Sequence, residues 1–412
     1  MKRYLILGII ILAAAGLVAG GYLLRKNDSS AISPGQNNNQ AQNPPLDDGS
    51  KTGQGTGNTG QGLGGLLQKS NQVAENLVKD YFVDAQGKIV FIQPDGRIFS
   101  SEGGSAVGGA AGDKTPKTIN STAIGNLIDV SFSFDGKMVA ARFGNLDKPQ
   151  TSVFDIEKKA WVPLALDVQA LAWSPEERQL AYLAKTAQGL TLGILDFSQK
   201  SIKPKDLISL HANDLILGWI KPGEVWLSEK PTSKIEGTLW SFNFSTKTLT
   251  KVIDQQKGLE TIWNAGGALA LKSSGNQLEI IDRRGNLSRR LAFRTLLSKC
   301  VFFFEMKNAT TTTAATGTKK SALPQVIKEE YLNCAIPTDA TQLQGYSLPD
   351  DYYKKAVFTE DNIYQIELSS GDITPLFVGD GVDAINLKRV GQKIYFINRF
   401  DNKLYSAPIA AN

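Results

Sequence analysis

From Val130 to about Ala292 the chain repeats one arrangement of apolar and polar positions. Val130-Ser-Phe132-Ser-Phe134 alternates, turns at Asp135-Gly136-Lys137 and continues through Met138-Val-Ala-Ala141. Leu171-Ala-Trp173 turns at Ser174-Pro175-Glu176-Glu177-Arg178 and continues through Leu180-Ala-Tyr-Leu183. Ile216-Leu-Gly-Trp219 leads into Val225-Trp-Leu227, and Thr261-Ile-Trp263 into Ala268-Leu-Ala-Leu271. Two-residue alternation predicts half-buried strands, and the turn residues predict tight links between them. The anchors Phe132, Trp173, Trp219 and Trp263 lie 41, 46 and 44 residues apart. Short strands recurring at that interval predict the blades of a β-propeller.

The flanks extend the same pattern. Tyr81-Phe-Val83, Lys88 to Ile92 and Arg97-Ile-Phe99 read as strands of a first unit, joined by Asp84-Ala-Gln-Gly87 and Pro94-Asp95-Gly96. Further units cover Leu127 to Leu164, Asp167 to Leu207, Asp214 to Ile253 and Gly258 to Phe293. In the sixth, Cys300 to Phe304 and Tyr331 to Ile336 are strands around a Thr/Ala-rich insertion, Asn308 to Lys320. The seventh holds Ile385 to Leu387, Lys393 to Ile397 and Lys403 to Ser406, and lacks an outer strand. Residues 66–80 read as a connecting segment, or as a strand that closes the ring. The expectation is all-β: a seven-bladed propeller over 81–412, with six blades as the alternative.

Ahead of the repeats the pattern changes twice. Leu5 to Leu24 is an uncharged apolar run of 20 residues between Lys2-Arg3 and Arg25-Lys26, long enough as a helix to cross a bilayer core of roughly 30 Å. Ala13-Ala14-Ala15 would serve as a cleavage site, but the apolar run continues beyond it, so residues 1–26 read as an uncleaved transmembrane signal-anchor. The short basic N-terminus places the body outside the cell membrane in a single-pass topology, although Arg25 and Lys26 nearly balance it. Residues 27–65 are Gly, Asn, Gln, Ser, Thr and Pro and read as a disordered stalk. Gly55-Thr-Gly57-Asn-Thr-Gly60 spells a dinucleotide fingerprint but follows no strand, and is a chance match in a glycine-rich tract.

Composition narrows the chemistry. A net charge of +5 over 412 residues does not point to nucleic acid. One histidine, His211, excludes a multi-histidine zinc site and leaves a Ser-His-Asp triad a single imidazole to use. No G-x-S-x-G elbow occurs, and Asp47-Asp48, Asp350-Asp351 and Asp380/Asp383 lack calcium-loop spacing. No cofactor, metal or catalytic residue is assigned. Cys300 and Cys334 fall on strands expected to be neighbours, so they read as a disulfide, with two buried thiols as the alternative. Arg283, Arg284, Arg289, Arg290 and Arg294 form a candidate anion patch, or a charged edge that blocks sheet pairing. Asp350, Asp351, Tyr352 and Tyr353 form a candidate partner loop. The six tryptophans, all between Trp161 and Trp263, read as wedges between blades.

Ala172-Trp173-Ser174-Pro175 followed by Leu180-Ala181-Tyr182 resembles the repeat of TolB-type, WD-repeat-like bacterial propellers. That repeat reads W-S-P-D-G-K before its next strand, and this chain divides it. Glu176-Glu177 stands in place of Asp-Gly, while Asp135-Gly136-Lys137 appears one unit earlier behind Phe134. The resemblance is best over 127–210 and implies a non-enzymatic, extracytoplasmic binding scaffold. The expected partners are the membrane, through the N-terminal helix, and a protein or envelope polymer, through propeller loops. The alternative is a polysaccharide-active lyase or glycosidase using carboxylates in the central channel.

Overall fold

A computed structural model describes residues 69–102, 115–309, 325–379 and 381–409. The anchor over 1–26 and the stalk over 27–65 lie outside the described residues. Among the described residues no helix is long and apolar enough to cross a membrane.

Twenty-eight strands form seven four-stranded antiparallel sheets. Six are built from consecutive strands: blade one spans 80–120, blade two 127–164, blade three 168–210, blade four 215–257, blade five 260–290 and blade six 300–377. Blade seven takes three strands from 384–408 and its outermost from Asn71–Leu77, which pairs Asn71 with Ser406 and Gln72 with Tyr405. The seven-blade count is thus borne out and the six-blade alternative falls. Borrowing the outer strand joins the two ends of the ring and covers the edge that Lys403–Pro408 would otherwise leave open.

The ring is held between its blades. Seven of the apolar clusters each combine residues of two neighbouring blades. Between blades two and three, Met138, Ala140 and Val153 meet Trp173, Leu180 and Tyr182. Each large apolar side chain buried in this way contributes about 1.5–3 kcal/mol. Trp173 fills its wedge against Phe197 and donates its indole N–H to the Ser131 carbonyl of blade two at 3.1 Å. The divided repeat signature acts across the same boundary. The Asp135 carboxylate accepts from the Lys137 backbone at 3.1 Å, and its other oxygen holds Arg178 of blade three at 2.8 Å. Gly136 takes φ +66° at this turn, where the Phe82 ring leaves no room for a Cβ.

Alternation of strand direction puts the links between second and third strands on the same face as the links from one blade to the next. The link in blade six, residues 338–360, is the longest of its kind among the described residues. It contains the helical turns Ala340–Leu343 and Asp350–Tyr353 and a cis Leu348–Pro349 bond. Leu343, Tyr352 and Val357 pack on Leu296 to give this segment its own small core. It is called the cap below. On the opposite face, Cys300–Ala309 and Gln325–Pro337 continue as a two-stranded ribbon. The third strand of blade six pairs with the ribbon only along Tyr331–Pro337, so the outer part of the ribbon has no third strand beside it.

Candidate functional site

The cap reaches three other blades, and its polar side chains fall into two groups. The first is a buried cluster around Lys299. Its ammonium, with no solvent exposure, lies 2.5 Å from Asp361, 2.6 Å from Asp383 and 2.5 Å from the Thr359 hydroxyl. Arg399 reaches the other oxygen of Asp383 at 2.7 Å and donates to the Tyr352 carbonyl at 2.8 Å. The Tyr352 hydroxyl donates to Asp383 at 2.7 Å, beneath the Arg399 guanidinium 3.7 Å from its ring centroid. Two cations meet two carboxylates, and the lone pairs left over accept the Ala384 and Thr359 backbone N–H groups. Burial pushes the Asp361 carboxyl upward, and Lys299 pulls it back. This cluster fastens the cap to blades six and seven.

The second group lies at Glu260, the first residue of the inner strand of blade five, Glu260–Trp263. Tyr353 of the cap donates its hydroxyl to Glu260 Oε1. Oε2 is out of contact with solvent and has no hydrogen-bond partner. Burial pushes this carboxyl up to about 7, the Tyr353 hydrogen bond offsetting only part of the shift. Glu260 and Tyr353 line a cavity of about 440 Å³. Its walls include Trp226 from blade four, Trp263 from blade five and Phe302 from blade six. Trp226 can lie where it does because residue 218 is glycine. A Cβ there would sit 2.2 Å from the indole.

Asp80 of blade one and Lys388 of blade seven act on each other's charge. Burial raises the Asp80 carboxyl and lowers the Lys388 ammonium, and each opposes the shift in the other. Lys388 donates to the Tyr81 carbonyl and lies 4.5 Å from the Tyr81 ring centroid.

The residues singled out from sequence occupy different places. Cys300 and Cys334 face each other across the first two strands of blade six and are joined as a disulfide. The proposed partner loop is the cap's helical turn, with Tyr353 49% exposed. Asp350 accepts from the Ser233 backbone of blade four at 2.6 Å, Asp351 accepts from Ser347 at 2.8 Å, and Tyr352 is buried. Burial would raise the Asp350 carboxyl, and the hydrogen bonds from Ser233 and Thr232 outweigh it and hold it at about 2. The arginines do not form one free patch. Arg283 pairs with Glu224 of blade four, Arg290 with Glu279 at 3.1 Å, and Arg289 donates to the Ser369 carbonyl of blade six at 3.0 Å. Arg284 and Arg294 are exposed. Sequence reasoning passed over Glu260, Lys299, Asp361 and Arg399. For Glu260 and Asp361 the available signal was a polar residue opening a strand, which many strands here share, and Lys299 and Arg399 flank strands.

The architecture is a seven-bladed propeller, and comparison with solved structures agrees at the level of the fold. Oligogalacturonate lyase from Vibrio parahaemolyticus is similar at a TM-score of 0.51 and 9% identity, over 83% of this chain and 94% of that one. Virginiamycin B lyase from Staphylococcus aureus gives 0.50 and 10%, over 84% and 100%. A chain of the Mitotic Checkpoint Complex gives 0.50 and 8%, over 88% and 100%. TolB propellers are also among the matches, at lower TM-scores. No protein-family model matches the chain, and no curated protein matches it.

Proposed function

We propose that the chain is a membrane-tethered, extracytoplasmic binding scaffold that recognises a protein or an envelope polymer through propeller loops, without catalysis. The observation that carries this reading is the two-stranded ribbon of blade six, which runs past the third strand of its sheet. On one face the cap is anchored to the blades through Asp350, Tyr352 and Tyr353, and on the other the ribbon of blade six leaves Phe304 and Met306 exposed at 48% and 62%. An exposed pair of large apolar side chains on a projecting two-stranded arm suits contact with a macromolecule. A closed ring supplies the rigid base that such an arm needs. The test is photo-crosslinking on intact cells from positions 304 and 306 of the full chain. A discrete adduct supports the reading, and labelling no stronger than from an exposed blade-edge position contradicts it. External protease should remove the propeller from intact cells, and full protection would overturn the topology.

A second reading, an enzyme acting on polysaccharide, is favoured by Glu260, because a carboxyl near 7 suits general acid–base work. Glu260→Gln would then abolish cleavage of a uronate-containing polymer. Absence of any cleavage by the intact chain would dispose of this reading.

A further inference from the structure

Among the described residues five carboxylates are buried: Asp155, Glu224, Glu279, Asp361 and Asp383. Each has a cation beside it, in turn Lys158, Arg283, Lys272, Lys299, and Lys299 with Arg399. Glu260 departs from this rule. The residue is half-buried, its Oε2 has no solvent contact, and it forms no ion pair among the described residues. Of the fifteen residues lining its cavity, Glu260 is the only carboxyl, and Tyr353 is the only other one that titrates. Thr261, Trp263 and Ser298, all in the same lining, each carry a polar atom with neither partner nor solvent. Buried polar groups in folded proteins are ordinarily paired, whereas these unpaired ones gather beside the cavity wall without opening onto it, and the carboxyl of Glu260 is the acidic group of the lining.

We propose that the cavity beneath the cap binds a primary ammonium ion carried on an apolar body, with Glu260 as its counter-ion and Trp226, Trp263, Phe302 and Tyr353 as its aromatic walls. An ammonium supplies the missing cation and three N–H donors. The ring faces favour positive charge, more so out of water. At about 440 Å³ the cavity falls in the range of small-molecule sites. Ligand entry displaces the Tyr353 hydroxyl from Glu260 and so acts on the cap. This site is separate from the exposed ribbon, so its failure leaves the scaffold reading untouched.

The full chain is titrated with phenethylammonium and followed by tryptophan fluorescence, since Trp226 and Trp263 line the cavity. Nα-Acetyl-lysine methylamide tests an amine carried on a peptide, while 3-phenylpropan-1-ol and 3-phenylpropionate carry no positive charge. Saturable binding of either amine is expected at pH 8, about tenfold weaker at pH 6, where a carboxyl with a midpoint near 7 is mostly protonated. The stronger of the two amines identifies the source of the ammonium. Glu260→Gln should weaken binding at pH 8 at least tenfold and remove the pH dependence. Tyr353→Phe, which keeps the ring and frees Oε1, should tighten binding several-fold. Equal binding by the alcohol, unchanged binding by Glu260→Gln, or no saturable change with either amine would overturn the proposal.

Discussion

Two polar clusters lie beneath the same cap, and they are built on opposite terms. Around Lys299 every charge is matched: Asp361 and Asp383 share the ammonium, Arg399 completes Asp383, and Tyr352 and Thr359 fill the remaining positions. At Glu260 one hydroxyl serves one oxygen and the other oxygen has nothing. The first arrangement is costly to break and offers a ligand no place to enter. The second is incomplete in the folded chain and sits beside an open volume. Satisfied polar networks specify structure, whereas an unsatisfied group next to a cavity marks where the structure is finished by something else.

The sharpest way to break this comparison is at its rigid half. Lys299→Met should destabilise the protein by about 3–5 kcal/mol, because Asp361 and Asp383 would be left buried without their shared cation. Chemical denaturation measures the loss, and proteolysis within 338–360 should accelerate. If the variant kept wild-type stability, the network would not be what fastens the cap.

The incomplete half should show itself through pH. Glu260 has its carboxyl raised in the folded protein, from 4.5 to about 7. The folded state therefore holds a proton that the unfolded state has released, and stability falls as pH rises between those values. The loss attributable to Glu260 is at most about 3 kcal/mol, less where solvent screens the group. Glu260→Gln should flatten the stability profile from pH 5 to pH 8, while Lys299→Met should not. An unchanged slope in Glu260→Gln would contradict the assignment.

Gly218→Ala forces a Cβ into the Trp226 indole, and should cost about 1–3 kcal/mol by overpacking. A shift in tryptophan emission should accompany it, because Trp226 is a cavity wall. The smallest effect belongs to Tyr353→Phe. It removes one hydrogen bond to a carboxyl and should change stability by about 1 kcal/mol at neutral pH. Its crystal structure should show the cap still fastened through Tyr352 and Asp350.

The ring was legible in the sequence because each blade carries its own local instructions. Turns such as Pro94-Asp95-Gly96 and Asp135-Gly136-Lys137 mark the links between strands, and Asp135 and the wedge residue Trp173 each act on the adjacent blade. The disulfide followed from two strands close in sequence. The cap was not legible, because its meaning is non-local. Lys299, Asp361, Asp383 and Arg399 come together across 100 residues of chain. The Asp350 to Tyr353 turn looks solvent-facing until its partners on blades four, five and seven are in place. The arginines of blade five read as a surface charge for the same reason. Glu224, which Arg283 holds, is 59 residues away in sequence and adjacent only in the ring.

The central claim is that Glu260 is a carboxyl left without a cation. Infrared titration of its carboxyl band, taken as the difference between the wild-type protein and Glu260→Gln, tests that most directly. The account predicts a midpoint near pH 7 in the unliganded protein, moving down when phenethylammonium is added. A midpoint at the ordinary glutamate value near 4.5, unmoved by the amine, would contradict it.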